Sequence, residues 1–322
     1  MIKKRIIIYG VGYAFRKLFT ERIEERLEKD FYVLGLVDKK ADFSEVVSKF
    51  FCYRNIPKKE FDYVCITSTT YYDEIKKELL IQKVDETKVL PLSFWLEYCE
   101  KAYLPLKLIK GKGVEIGGPS DIFRTIYCLD CSCDGVNYDI KTVWGNNKSE
   151  SYMWGNKVIG NQIIADATDL SVIESETYDF LLSSNNLEHI ANPLKAMKEF
   201  LRILKKDGLI IIFVPCKAYS FDHRRDDTLF EHLIQDYEDG VLEDDLTHLP
   251  EILNKHDLNR DPLAGTMTQF KERSVNNFKN RCLHHHVFSR ELLGCIAEYF
   301  KLDVIENTIF NENYYFVAIK RY

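Results

Sequence analysis

The stretch Gly111–Ser120, reading GKGVEIGGPS, constrains this chain most. A short apolar strand (Val114, Glu115, Ile116) runs straight into the paired glycines Gly117 and Gly118. Residues without a Cβ let a backbone turn this sharply and still come close to a ligand. A glutamate within such a strand is costly to bury unless its carboxylate is used. At the carboxyl edge of a parallel sheet, a loop of this kind is where a nucleotide-like cofactor binds.

What surrounds the stretch supplies such a sheet twice. In the first hundred residues, Lys4–Tyr9 is a β-branched run leading into Gly10-Val11-Gly12. A helical pattern follows from Phe15 to about Leu27. Tyr32–Asp38 and Tyr63–Thr67 read as strands, with a helix through Leu80 and a last short strand at Val89–Pro91. Alternating strands and helices mean a parallel α/β sheet. G-x-G with the acid Asp38 downstream resembles the nucleotide-binding half of a Rossmann domain. Phe15 stands where the third glycine belongs, and Asp38 is open to two roles, holding a ribose or capping the next segment. The domain either binds a dinucleotide or serves recognition and assembly, and a homo-oligomer would form through it. The Lys- and Pro-containing stretch 101–110 marks the change of domain, so the expected division is 1–103 and 104–322.

After the opening strand, the second domain continues with a strand ending at Gly135–Asp139 and an irregular segment, Thr142–Gly160. Further strands are expected at Ile163–Ala167, Tyr178–Ser184 and Leu209–Val214, with a helix from Pro193 to Leu204. The C-terminal end reads as a helix at Arg290–Phe300 and strands at Leu302–Glu306 and Tyr314–Ile319, a familiar ending with one antiparallel strand.

EIGGPS, then DATDL at Asp166–Leu170, YDFLLSSNNLEHI at Tyr178–Ile190 and ANPLKAMKEFLRILKKDGLIII at Ala191–Ile212 together resemble a class I S-adenosylmethionine-dependent methyltransferase. The resemblance runs from about Gly111 to the C-terminus. It implies a seven-stranded Rossmann-like α/β domain and S-adenosylmethionine as cofactor. Gly117 and Gly118 would lie against the cofactor's amino acid end, with Glu115 near its ammonium. Asn137 would stand at the ribose in place of the usual acid, with Asp134 or Asp139 as alternative sources of charge. Asp166 and Ala167 would meet the adenine, and Ser184 and Asn185 the reactive methyl.

All eight histidines fall between His189 and His286. Most lie in an insertion of about residues 216–286, where such a fold covers its substrate. Its pieces, including Phe221–Arg225 and Arg281–Phe288, resemble a subgroup of bacterial enzymes associated with capsule or other surface-saccharide biosynthesis. Candidate catalytic residues are His189, Asp222, His223, Arg225, His248, His284 and His286. A histidine would act as general base, or histidines and acids would hold a divalent metal that lowers the acceptor's pKa. If residues 284–286 are strand, His284 and His286 share a face and His285 points away. Arg224, Arg225 and Arg281 would suit a phosphate or carboxylate on a small acceptor, and Trp144, Tyr152 and Trp154 would line its pocket.

A net charge of −6 argues against a nucleic-acid binder. No apolar run approaches the ~20 residues that span a bilayer, so no membrane partner is expected. Nine scattered cysteines fit reduced thiols in a cytoplasmic protein, and Cys128, Cys131 and Cys133 read as core thiols in preference to a zinc set. Two rival readings stand beside methyl transfer. One is an NAD-dependent oxidoreductase working through the N-terminal G-x-G. The other is a methyltransferase-like binding or assembly protein without turnover.

Overall fold

Lys4–Tyr9 (KRIIIY) forms β1, and its isoleucines are fully buried. The computed structural model describes residues 3–145 and 150–322; residues 146–149, within the segment expected to be irregular, lie outside the described residues. The chain divides into two units, Met1–Pro105 and Leu106–Tyr322.

The first unit runs β1, α1 (Tyr13–Arg16), α2 (Glu21–Asp30), β2 (Phe31–Val37), β3 (Cys52–Tyr53), β4 (Tyr63–Ile66), α3 (Tyr72–Ile81) and α4 (Ser93–Tyr103). Its strands are all parallel, in the order β3-β2-β1-β4. The single helix expected from Phe15 to Leu27 is broken in two. The Thr20 hydroxyl accepts from the Ile23 N–H at 3.4 Å and starts α2 afresh. Only one helical turn therefore follows the Gly10–Gly12 loop, and a single turn carries little dipole toward a pyrophosphate. Phe15 is buried and stacks on Phe19 and Trp95, at 4.4 and 5.2 Å between ring centres. Of the two roles open to Asp38, the structure shows the cap: its Oδ1 accepts from the backbone of Lys40 and Ala41, both at 2.8 Å. The last short strand is reduced to an isolated bridge between Val64 and Val89.

In the second unit come β5 (Lys112–Ile116), α5 (Arg124–Tyr127), β6 (Ser132–Asn137), β7 (Ser151–Trp154), β8 (Lys157–Ile164), β9 (Tyr178–Ser184), α6 (Pro193–Ile203) and β10 (Leu204–Pro215). They are followed by α7 (Phe230–Asp239), α8 (Leu249–Lys255), α9 (Met267–Val275), α10 (Asn277–Asn280), α11 (Arg290–Tyr299), β11 (Asp303–Phe310) and β12 (Asn313–Ile319). The sheet order is β11-β12-β10-β9-β5-β6-β8-β7. β5, β6, β8, β9 and β10 run parallel, while β12 lies antiparallel between β10 and β11. The sheet has eight strands where seven were expected, because β7 folds back antiparallel on β8. β8 ends at Ile164, so Asp166 and Ala167 lie just beyond it, at the carboxyl edge.

The core forms where α6 and α11 cover this sheet. Asn192 caps α6 by accepting from the Lys195 N–H at 3.1 Å, Pro193 opens its first turn, and Leu194, Met197, Phe200 and Leu201 make the buried stripe. Between β10 and α11, α7 packs Leu233 into the main core, while Ile252 of α8, Phe270 of α9, Ala264 and Leu283 form a small separate apolar nucleus. Residues 281–289 are not strand, contrary to the possibility raised for His284–His286; they cross the site as an unpaired stretch whose histidines are buried. Among the described residues, no helix is long and apolar enough to cross a membrane.

Candidate active site

The loop after β5 is built around Glu115. This carboxylate is completely buried and accepts from the Tyr152 hydroxyl at 2.6 Å, the Ser120 N–H at 3.0 Å and the Tyr127 hydroxyl. Burial raises its pKa, and these donors work against that rise. Glu115, which the resemblance places near the cofactor's ammonium, braces the loop through these three donors. A Cβ on Gly118 would land on the Glu115 carboxyl and the Tyr152 hydroxyl, so only glycine lets the loop close over its own brace. Gly117 has φ +85° and packs against Asn186. The Asn186 Oδ1 is buried without a protein partner, an acceptor left free beside Gly117. Asn137, at the end of β6, donates through Nδ2 to the Gly118 carbonyl at 3.1 Å.

The two acids offered as alternatives to Asn137 lie on either side of it along the chain. Asp134 is buried at the opposite end of β6 from the loop. It is bound by Lys112 at 2.7 Å, the Tyr178 hydroxyl at 2.9 Å and the Asn161 N–H at 2.9 Å. Lys112 and these hydrogen bonds bring its pKa down despite burial. Asp139 lies past the strand. Asp166 binds the Thr168 N–H and hydroxyl through Oδ1, both at 2.8 Å, and Arg281 through Oδ2 at 3.1 Å. Arg281 continues to Glu243 at 2.7 Å and lies over the Tyr138 ring, so the segment before the histidine triplet reaches the expected adenine position. Ala167 is adjacent. The residue after Ser184, Asn185, turns the chain at φ +47° and donates its N–H to Phe213 at 2.9 Å.

Beyond this turn lies a buried group of ionisable side chains. His189 donates Nδ1–H to the Leu283 carbonyl at 3.0 Å, leaving the lone pair on Nε2. Burial and the neighbouring His284 hold its pKa well below the ordinary value. His284 binds the Asp222 Oδ2 through Nδ1 at 2.5 Å. Burial opposes charge on His284, but Asp222 outweighs it and the pKa stands raised. Arg225 holds the pair: it reaches the Asp222 Oδ1 at 3.1 Å and the carbonyls of His284 and His285 at 2.7 and 3.0 Å. Glu188 faces the same space, and its ligand atom lies within 4.8 Å of those of His189 and His284. Both its oxygens are buried without a hydrogen-bond partner, and burial pushes its pKa up to about 7. Trp144 meets the His189 ring edge-on at 5.2 Å.

The other candidates fall elsewhere. His248 and His286 join a second group, with His232 and Asp236. His284 and His286 thus serve different groups, while His285 bonds Asn277 at 3.0 Å. His223 pairs with Asp257 at 2.9 Å, beside Arg224, and joins neither group. Tyr152 holds Glu115, and Trp154 packs on Tyr127, which leaves Trp144 as the one of these three beside the histidines, where Phe221 also packs on His284 at 4.6 Å. Cys128 is exposed, Cys131 half-buried and Cys133 buried, and only the last is a core thiol. Sequence reasoning did not place Glu188, His232, Asp236 or Tyr127 among the site residues, and it gave Tyr152 to the acceptor pocket instead of to Glu115. The i, i+4 spacing of His232 and Asp236 was the one legible signal.

A parallel sheet ordered β8-β6-β5-β9-β10, closed by the antiparallel β12 and carrying a glycine crevice at the end of β5, defines a class I S-adenosylmethionine-dependent methyltransferase fold. Residues 113–212 match the family described as a methyltransferase domain, and that match, with the fold, supports S-adenosylmethionine-dependent methyltransferase activity. Residues 2–90 match a family described as C2185-like, N-terminal. No curated protein matches by sequence. Solved structures superpose loosely. A methyltransferase from Aquifex aeolicus is 13% identical over 76% of this chain and 97% of that one, with a TM-score of 0.39. One from Methanosarcina mazei is 13% identical over 67% and 97%, with a TM-score of 0.40. One from Thermotoga maritima, described as a possible histamine N-methyltransferase, is 16% identical over 79% and 97%, with a TM-score of 0.39. Superpositions this loose carry no argument, and the class rests on the strand order and the family match.

Proposed function

We propose that the second unit methylates an oxygen or nitrogen of a small acceptor, with His284 as general base. The supporting observation is the Asp222–His284 pair at 2.5 Å beside His189 and Glu188, just past the end of β9. When bound, S-adenosylmethionine supplies an electrophilic methyl on a sulfonium centre. Gly117, Asn137, Asn186, Asp166 and Ala167 fit as its holders: a close backbone approach, a buried acceptor without partner and a carboxylate line one carboxyl edge.

The chain's own residues then move one proton. Asp222 fixes the proton on Nδ1 of His284, so Nε2 takes a proton from the acceptor as its oxygen or nitrogen attacks. Asp222 also keeps the imidazole more basic than burial alone would allow. His189, held neutral, and Trp144 shape the space around the nucleophile. Most of the acceleration comes from alignment of nucleophile and methyl.

The arginines that would suit an anionic acceptor have partners within the chain. Arg225 and Arg281 are bound internally, and Arg224 is paired with Asp257. A phosphorylated or saccharide-like acceptor in capsule biosynthesis rests on the sequence resemblance.

The test is calorimetry with S-adenosylmethionine, followed by release of S-adenosylhomocysteine over a panel of sugars, sugar phosphates and amino acids. His284→Gln should lower turnover by roughly 10²–10⁴ at unchanged cofactor affinity. Turnover equal to wild type removes His284 as the base.

A further inference from the structure

His232 and Asp236 sit one turn apart on the same face of α7. His248 lies just before α8, and His286 lies on the unpaired 281–289 stretch. Four side chains from three separate segments thus converge, and their ligand atoms all lie within 4.8 Å of one another. The Nε2 atoms of His232 and His248 face each other at 3.0 Å. The Asp236 Oδ2 is 2.9 Å from the His286 Nε2 and 3.4 Å from the His232 Nε2.

Hydrogen bonding alone serves this arrangement poorly. A neutral His232 has at most one proton on Nε2, yet that atom faces both the His248 nitrogen and the Asp236 oxygen. His286 is completely buried, with its Nε2 turned to Asp236. A cation at the centre would satisfy all four donors at once. Bonds of about 2.0–2.1 Å in a tetrahedral site separate donor atoms by about 3.3 Å, the range in which the three closest pairs already stand. A donor set of three imidazoles and one carboxylate favours a first-row transition ion over Mg²⁺ or Ca²⁺, which prefer oxygen.

We propose that His232, Asp236, His248 and His286 bind a divalent transition-metal ion, Zn²⁺ by this donor set, which ties α7, the start of α8 and the 281–289 stretch together. That stretch carries His284 two residues before His286, so the ion would fix where the general base stands.

The experiment uses the full-length untagged chain, stripped with chelator and titrated separately with Zn²⁺ and Mn²⁺. Metal content and melting temperature are the readouts. The expected result is one Zn²⁺ per chain and a higher melting temperature for the second unit. Losing only the hydrogen-bond partner of a ligand costs about 10–100-fold in affinity. His232→Ala and His248→Ala, at partly exposed positions, should therefore each lose roughly 100-fold or more. His223→Ala, and His189→Ala in the other histidine group, should keep the ion. Melting of the stripped variants alongside the stripped wild type shows that they fold. No saturable binding by the wild type, or binding that survives His232→Ala and His248→Ala, overturns the site. Loss with His189→Ala alone would place the ion at Glu188 and also overturn it. None of these readouts needs cofactor or acceptor, so the outcome is separate from that of the methyl-transfer reading.

Discussion

Glu188→Gln should stabilise the second unit above neutral pH and leave it unchanged in mild acid. The glutamate is 1% exposed and neither oxygen has a partner. Burial takes its pKa from an ordinary 4.5 to about 7. Between those values the unfolded chain has released the proton and the folded chain still holds it. Stability therefore falls as pH rises through this window. At about 1.4 kcal/mol per tenfold in proton affinity, the charged carboxylate costs the fold about 3 kcal/mol above pH 7. Glutamine matches the protonated acid in shape and polarity, so the two proteins should be nearly equal at pH 5. At pH 8 the variant should melt about 6–12 °C higher, at roughly 2–4 °C per kcal/mol for a unit of this size. The assay is calorimetric melting at both pH values with chelator present, following the transition that S-adenosylmethionine shifts. Equal melting of variant and wild type at pH 8 would refute the claim that Glu188 is buried without a partner.

Arg225→Ala should cost about 3–5 kcal/mol, since it leaves the buried Asp222 short of a counter-charge and strips the His284 and His285 carbonyls; Arg225→Lys should not rescue it, because one ammonium cannot reach all three groups. Chemical denaturation reads both. Gly118→Ala should destabilise by about 1–3 kcal/mol and weaken cofactor binding in calorimetry, because the new methyl collides with the Glu115 brace; a normal melt would show that the loop yields. Tyr152→Phe removes a donor from the buried Glu115 carboxylate and should cost about 1–3 kcal/mol. The remaining burial would raise the Glu115 pKa further, so the loss should be larger at pH 8 than at pH 5.

What was legible in the sequence was local. The β-branched runs at Lys4–Tyr9 and Leu209–Val214 are strands because such residues fit a pleated, buried surface. The Asn192-Pro193 start of α6 carries its own cap. The glycines after Glu115 announce a turn that no other residue makes so tightly. The joint order of these pieces was enough for the class of enzyme. The break at Thr20 and the hairpin of β7 on β8 were not read, because each depends on one capping hydroxyl or on pairing across a turn.

The histidines show where local reading stops. Their spacing said that they were concentrated, but partners such as His284 and Asp222 lie 62 residues apart, and the turns between them are not encoded by any period. Only the folded insertion separates His284 from His286, assigning one to Asp222 and the other to Asp236. The same holds for Glu115, whose tyrosines come from 12 and 37 residues downstream. Periodicity and turn chemistry act over a few residues and so set the scaffold; burial, and the partner each buried charge finds or fails to find, arises from contacts made only after the chain has closed on itself, and that decided the chemistry of the site.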